Sequence, residues 1–292
     1  TLAYYRKALK ADDFNYSKVK EPGRLSKKKV NVVNCWDEMV DISVGTVTKE
    51  AGTASFKALV KVVDDMKAGL VDAVVTAPIN KHNIQSEQFH FPGHTEFFTT
   101  KFDSKESLMF LVSENLRVGV VTGHIPLKEV SNAIGKNKIE TKINIMEKSL
   151  QNDFGIKKPK IAVLGLNPHA GEDGLLGNED QDIIKPVINK FRDVGKLIHG
   201  PFPADGFFGK GDYKKFDGIL AMYHDQGLIP FKTIAFQTGV NYTAGLPIIR
   251  TSPDHGTAYS IAGKDEASEA SMRRAIYLAT DIFRNRQMNN AL

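Results

Sequence analysis

Apolar residues recur along this chain in two rhythms. Residues 50–67 place Ala54, Phe56, Leu59, Val60, Val63 and Met66 broadly on one side of a helix, and Gly69 follows as a stop. Residues 138–150, 182–194 and 267–286 repeat the helical spacing, the last with Met272, Ile276, Ala279 and Ile282 on one stripe. Between them lie short β-rich runs at 30–33, 71–76, 107–112, 118–122, 160–165, 218–222 and 232–236. Pro78 ends the second of these, and the polar Ser113-Glu-Asn-Leu-Arg117 reads as a hairpin connection. Strand and helix in alternation predict an α/β protein with some mixed pairing around the 107–122 hairpin.

Composition narrows this picture little. At 292 residues, 41% hydrophobic and 25% charged, the chain can bury the core of two domains or of one large α/β unit. A membrane span is not expected, since no apolar run approaches about 18 residues, and the start lacks the apolar core of a signal peptide. Cys35 is the single cysteine, so no intrachain disulfide can form; this fits a reducing compartment and a cytoplasmic protein. The net charge of +5 is spread out, with Lys27-Lys28-Lys29 its clearest run, which suits a solvated surface or attraction of small anions better than a nucleic-acid stripe. The chain opens at Thr1 without Met, and a preceding segment is expected.

The chemistry concentrates where strands end. His124, His169 and His224 each follow an apparent strand by a few residues. If those strands are parallel in one sheet, the three imidazoles meet in one crevice and form a divalent-metal site; taken singly, each is an ordinary capping or hydrogen-bonding histidine. Asp225 and Gln226 beside His224, and Glu172 and Asp173 after His169, either orient an imidazole or are solvated loop residues. Gly93-His94-Thr95 precedes a predicted helix, where backbone amides suit phosphate or carboxylate and Thr95 can equally cap. Lys232, Asn241 and Arg250 form a second polar series, with the Arg250 fork at the end of the run 246–249 able to grip an anion. Neither Gly-x-Gly-x-x-Gly after a strand nor Gly-x4-Gly-Lys-Ser/Thr is present, which disfavours a Rossmann site and a P-loop.

Six motifs together carry a resemblance. Thr76-Ala-Pro-Ile-Asn-Lys81, Gly93-His-Thr-Glu96, Asn167-Pro-His-Ala-Gly-Glu172, Tyr223-His-Asp-Gln-Gly227, Gly245-Leu-Pro247 with Arg250-Thr251, and Asp254-His-Gly-Thr-Ala258 resemble, in order and spacing, the 4-hydroxythreonine-4-phosphate dehydrogenases of vitamin B6 biosynthesis. The stretch 254–263 is also similar to the cofactor loop of isocitrate and isopropylmalate dehydrogenases. The resemblance implies an isocitrate dehydrogenase-like subunit of two α/β/α domains with a cleft between them, the first from 1–88 and 258–292, the second from 89–257. It implies NAD(P)-dependent, metal-dependent oxidation of 4-phosphooxy-L-threonine, with NAD or NADP at His255, Gly256 and Ala258 and zinc, magnesium or cobalt at His124, His169 and His224. His94, Thr95, Lys232, Asn241 and Arg250 correspond to substrate contacts, and Asp205, with Lys232, to catalytic groups. A homodimer with the active site at the subunit interface is implied, His224 entering from the partner chain. Relatives acting on D-threonate or D-erythronate 4-phosphate share these motifs, and a non-catalytic anion- or nucleic-acid-binding protein is the alternative of another class. Family members open with Gly-Asp-Pro-x-Gly-Ile-Gly-Pro-Glu, absent from this sequence and expected to precede Thr1.

Overall fold

The computed structural model describes residues 1–23, 25, 26 and 28–290, so Lys27 of the basic run lies outside the described residues. The chain groups into two units. The first comprises Thr1–Val74, Pro78–Lys101 and His255–Ser268. It contains α1 (Leu2–Ala8), the parallel pair β1 (Tyr16–Val19) and β2 (Val30–Val33), α2 (Lys49–Lys67), the start of β3 (Ala73–Val75), and α3 (His94–Lys101). Helix α2 forms where the periodicity places it. Thr48 caps it, its hydroxyl accepting from Ala51 N at 3.1 Å, and Gly69 beyond its end is left-handed with φ 69°. Asn83 Nδ2 donates to Thr48 O at 2.7 Å, so the loop is drawn onto the helix start. A Cβ at Gly52 would lie 2.0 Å from Asn83 O. Gly52→Ala is therefore expected to destabilise the protein by about 1–3 kcal/mol, read from the urea midpoint, because the backbone opposite must move.

The second unit comprises Val75–Ala77, Phe102–Asp254 and the residues from Glu269. Its strands are β4 (Leu108–Val112), β5 (Arg117–Val120), β6 (Ile161–Leu164), β7 (Ile198–Phe202), β8 (Gly218–Ala221), β9 (Val240–Ala244) and β10 (Ile249–Pro253). With β3 on one edge, the strand order is β3-β10-β9-β4-β5-β8-β6-β7. The pairs β10/β9, β9/β4 and β4/β5 are antiparallel, while β5/β8, β8/β6 and β6/β7 are parallel. The predicted hairpin at 107–122 is thus the joint between the two halves of the sheet.

Helices α4 (Val130–Ala133), α5 (Lys136–Asn152), α6 (Lys185–Asp193), α7 (Ala204–Gly209), α8 (His224–Ala235) and α9 (Ala270–Asn290) complete the unit. The fully buried strand residues explain the continuous apolar runs: β6 and β8 are buried at every position, as parallel strands covered on both faces must be. No described helix is long and apolar enough to cross a membrane.

Three expectations change. The run 232–236 is not a strand but the last turn of α8 and the residue after it. Its β-branched Thr233 and Ile234 suggested extension, yet Leu228, Phe231 and Ala235 are buried with helical spacing while Ile229 and Phe236 are exposed. Arg250 does not sit at the end of a strand over 246–249. Gly245 is left-handed (φ 87°), Leu246 and Pro247 lie in the turn after it, and Arg250 lies inside β10, 3% exposed. The closing helix α9 groups with the large sheet rather than with the N-terminal domain where 258–292 was assigned. It buries Ala275, Ala279 and Ile282, and Thr251 Oγ1 donates to Ala275 O at 2.8 Å.

Candidate active site

Consecutive parallel strands deliver their carboxyl ends to one edge of a sheet. Here β5 leads to His124, β8 to His224 at the start of α8, β6 to His169, and β7 to Asp205 in the first turn of α7. Because the strands lie in the order β5, β8, β6, β7, the four groups follow one another along that edge as His124, His224, His169 and Asp205.

The rings of His124 and His224 have centroids 5.4 Å apart. His224 Nδ1 is 2.7 Å from Asp225 Oδ1, so the carboxylate fixes the ring and leaves Nε2 as the nitrogen not engaged by it. His169 Nδ1 lies 3.5 Å from Glu172 Oε2, a looser version of the same pairing. His169 does not join the other two. Among the described residues, no three His, Cys, Asp or Glu side chains gather closely enough to hold a metal ion. The donors of one chain therefore do not fit a resident metal by themselves.

Gln226 has a different task from its neighbour. Its Oε1 accepts from Met222 N at 2.7 Å and its Nε2 donates to Gly165 O at 2.6 Å, which ties the end of β8 to the end of β6. It holds the loops that carry His224 and His169 rather than either ring.

The second polar series occupies one face of the sheet. Register pairs Asn241 with both Leu111 and Ser252, and Leu111 with Val118, so these share a face with the core cluster that receives Leu228 and Phe231 of α8. On that face Arg250 Nη1 donates to Thr243 Oγ1 at 3.1 Å, and its Nε and Nη2 donate to Thr76 Oγ1 at 3.1 and 2.8 Å. Asn241 Oδ1 is buried and finds no hydrogen-bond partner among the described residues, the condition of an acceptor waiting for a donor from outside the chain. Lys232 projects from α8 with its ammonium 3.5 Å from Asp254 Oδ1. By register, Asn241 lies toward the end of the sheet opposite the histidine edge, Arg250 nearer to it.

In the first unit, His94 and Thr95 form the first turn of α3 rather than preceding it, and the His94 ring stacks on Phe98 with centroids 6.4 Å apart. A Cβ at Gly93 would sit 3.6 Å from Lys81 Cε, so the Lys81 chain passes beside that helix start. His255 and Gly256 are exposed, a Cβ on Gly256 would meet nothing within 4 Å, and Ala258 is left-handed with φ 52°. Such open main chain fits a dinucleotide lying against the loop.

Thr76 and Thr243, which position Arg250, were not singled out from sequence, although Thr76 opens one of the motifs. Nor does any local pattern in the sequence single out Asp180. It bonds Leu166 and Asn167, 14 and 13 residues upstream, across a separation at which no local pattern operates.

The sequence model of a family described as "Pyridoxal phosphate biosynthetic protein PdxA" matches residues 2–279. A 4-hydroxythreonine-4-phosphate dehydrogenase of Bacteroides thetaiotaomicron is 52% identical over 290 residues, covering 99% of this chain and 79% of that protein. A protein of the same name from Sulfurihydrogenibium sp. is 42% identical over 281 residues, covering 96% and 86%. Among solved structures, that of a 4-hydroxythreonine-4-phosphate dehydrogenase from Klebsiella pneumoniae matches with a TM-score of 0.81 at 36% identity, covering 95% of this chain and 86% of that one. The fold is the isocitrate dehydrogenase-like α/β fold that the motifs implied.

Proposed function

Since the chain belongs to the PdxA family of pyridoxal phosphate biosynthetic proteins, we propose that it oxidises the C3 hydroxyl of 4-phosphooxy-L-threonine with NAD or NADP. The observation that carries this reading is the row of His124, His224, His169 and Asp205 along the carboxyl edge of four adjacent parallel strands. A nicotinamide dinucleotide held against the main chain of His255, Gly256 and Ala258 would supply the acceptor for the C3 hydride. Asp205, exposed in the first turn of α7, takes the hydroxyl proton. The product is a β-keto acid. Its carboxylate leaves as CO2, the bonding pair passing to the ketone oxygen, and protonation yields 3-amino-2-oxopropyl phosphate.

Arg250, Lys232 and Asn241 are the proposed anion contacts of the second unit, and His94 and Thr95, in the first turn of α3, those of the first. Thr76 and Thr243 fix the plane of the Arg250 fork, so that a geometric as well as an electrostatic match selects the anion. His255, Gly256 and Ala258 supply the main chain against which the dinucleotide lies.

For the metal part of this reading, His224, expected to enter from the partner chain, stands beside His124 of its own chain, and among the described residues no third donor joins these two, so a second copy of the chain would have to complete the set. We assign the divalent ion, zinc, magnesium or cobalt, to donors divided between the two chains of a homodimer. Exposed apolar side chains follow the histidines within a few residues: Ile125 and Leu127 after His124, Leu175 and Leu176 after His169, and Ile229 after His224. An apolar set of this kind around polar groups is what a self-association surface offers.

The test is metal analysis of the purified protein together with NADH or NADPH formation on 4-phosphooxy-L-threonine, D-threonate 4-phosphate and D-erythronate 4-phosphate. Turnover of the first with metal bound per dimer is expected. Preference for either sugar-acid phosphate would replace the substrate, and full metal affinity in a monomeric variant would overturn the shared site.

A further inference from the structure

The residues from His169 to Asp173 hold a conformation that L-amino acids avoid. His169, Ala170, Glu172 and Asp173 have φ of 54°, 52°, 42° and 52°, and Gly171 between them has φ 80°. Successive left-handed residues other than glycine cost roughly 1–2 kcal/mol each, so this turn persists only because its surroundings impose it.

Just before this turn the chain is held by a buried carboxylate. Asp180 is fully buried in a π-helical turn, Asp180–Ile184. Its Oδ1 accepts from Leu166 N at 2.8 Å; its Oδ2 accepts from Asn167 N at 3.1 Å and Asn167 Nδ2 at 3.0 Å. Asn167 Nδ2 also donates to Glu179 Oε2 at 2.8 Å, and Ser131 Oγ donates to Glu179 Oε1 at 2.5 Å. These two donors hold the Glu179 carboxyl below the usual carboxylate range. The packing is as close as the bonding. A Cβ at Gly165 would stand 2.8 Å from Asp180 Oδ1 and 2.9 Å from Ala170 Cα, and one at Gly171 2.8 Å from Gly177 O.

We propose that Asp180 is a positioning residue for His169: its carboxylate, by capturing the Leu166 and Asn167 amides and the Asn167 side chain, keeps 169–173 left-handed and presents the imidazole at the sheet edge. The role in turnover rests on the reading of His169 given above; the clamp itself does not. Each of the three donors faces a charged acceptor, which makes these bonds stronger than neutral ones. In Asp180→Asn one oxygen becomes an amide donor pointing at other donors, so the clamp opens with little change in volume.

Three measurements test this in the full chain. In Asp180→Asn, amide hydrogen exchange across 165–178 is expected to rise while the sheet keeps its protection. Turnover should fall about 10–100-fold, the range for removing the support of a site group, with KM little changed. In a His169→Ala background, Asp180→Asn should add no further loss, because two residues acting through one group are not additive. Asn167→Ala, which removes only the side-chain arm, should show the same changes to a smaller extent and serves if Asp180→Asn does not fold. Unchanged exchange in 165–178 would overturn the clamp, and multiplicative losses with His169→Ala would overturn its action through His169. An active His169→Ala protein whose exchange still responds to Asp180→Asn would instead remove His169 from the proposed reaction.

Discussion

Asp153→Ala is expected to cost about 3–5 kcal/mol of folding stability, the penalty for stripping one partner from a buried charged network. Asp153 is 4% exposed and closes a junction between α5, β9 and α9. Its Oδ2 accepts from Ser149 Oγ and from Tyr242 OH, both at 2.6 Å, and its Oδ1 accepts from Arg286 Nε at 2.7 Å. Arg286 Nη2 also donates to Tyr242 OH at 3.1 Å, and Asn285 Nδ2 donates to Asp153 O at 2.7 Å. Without the carboxylate, the guanidinium and the phenol lose their shared acceptor, and α9 keeps only its remaining bonds, such as Thr251 Oγ1 to Ala275 O and Arg286 Nη2 to Tyr242 OH. Chemical denaturation should show the lower midpoint with an unchanged slope, and a loss below about 1 kcal/mol would mean that apolar packing alone seats the helix.

The same junction sets a pH limit. Burial, and next the charge of Asp153, push the Tyr242 phenol above its usual range. A folded-state pKa above the unfolded one contributes stability that is complete below the unfolded value, about 10, and is lost as pH rises toward the folded value. The melting temperature should therefore decline above about pH 10 more steeply for the native sequence than for Tyr242→Phe. Parallel curves would assign the alkaline loss to other groups.

His224→Ala should lower kcat by about 10²–10³-fold, the cost of removing one preorganised group from an active site. Stability should change by about 1 kcal/mol or less, since the His224 side chain is 33% exposed and lies at the start of α8 rather than in the core. Asp225→Asn keeps the shape but no longer holds the Nδ1 proton with a charge. A fall of about 10–100-fold is expected there, smaller than that of His224→Ala. Equal losses in the two variants would mean that Asp225 itself reacts, and no loss in either would remove this strand end from the site.

Much of the site was legible because its residues follow strands directly. An apolar run ending in His224, or in the Asn167-Pro-His169 segment, signals a strand end whatever surrounds it, whereas the parallel pairing of three such runs is a condition that the sequence leaves open. Illegible were the partners supplied from elsewhere. Thr76 lies 174 residues from Arg250, and Arg286 lies 133 from Asp153. The Thr233–Ile234 pair misled because β-branching reports local stiffness, whereas the burial of Leu228, Phe231 and Ala235 against the sheet decides the helix.

By itself, the sequence determined the alternation of elements, the placement of histidines after β5, β6 and β8, and the motifs of the PdxA family. Only the tertiary structure decided that β8 lies between β5 and β6, so that His224 meets His124, and that no third donor gathers with them among the described residues although His169 follows the neighbouring strand. Strand order is set by which faces bury one another across long separations, and no local pattern of residues encodes it.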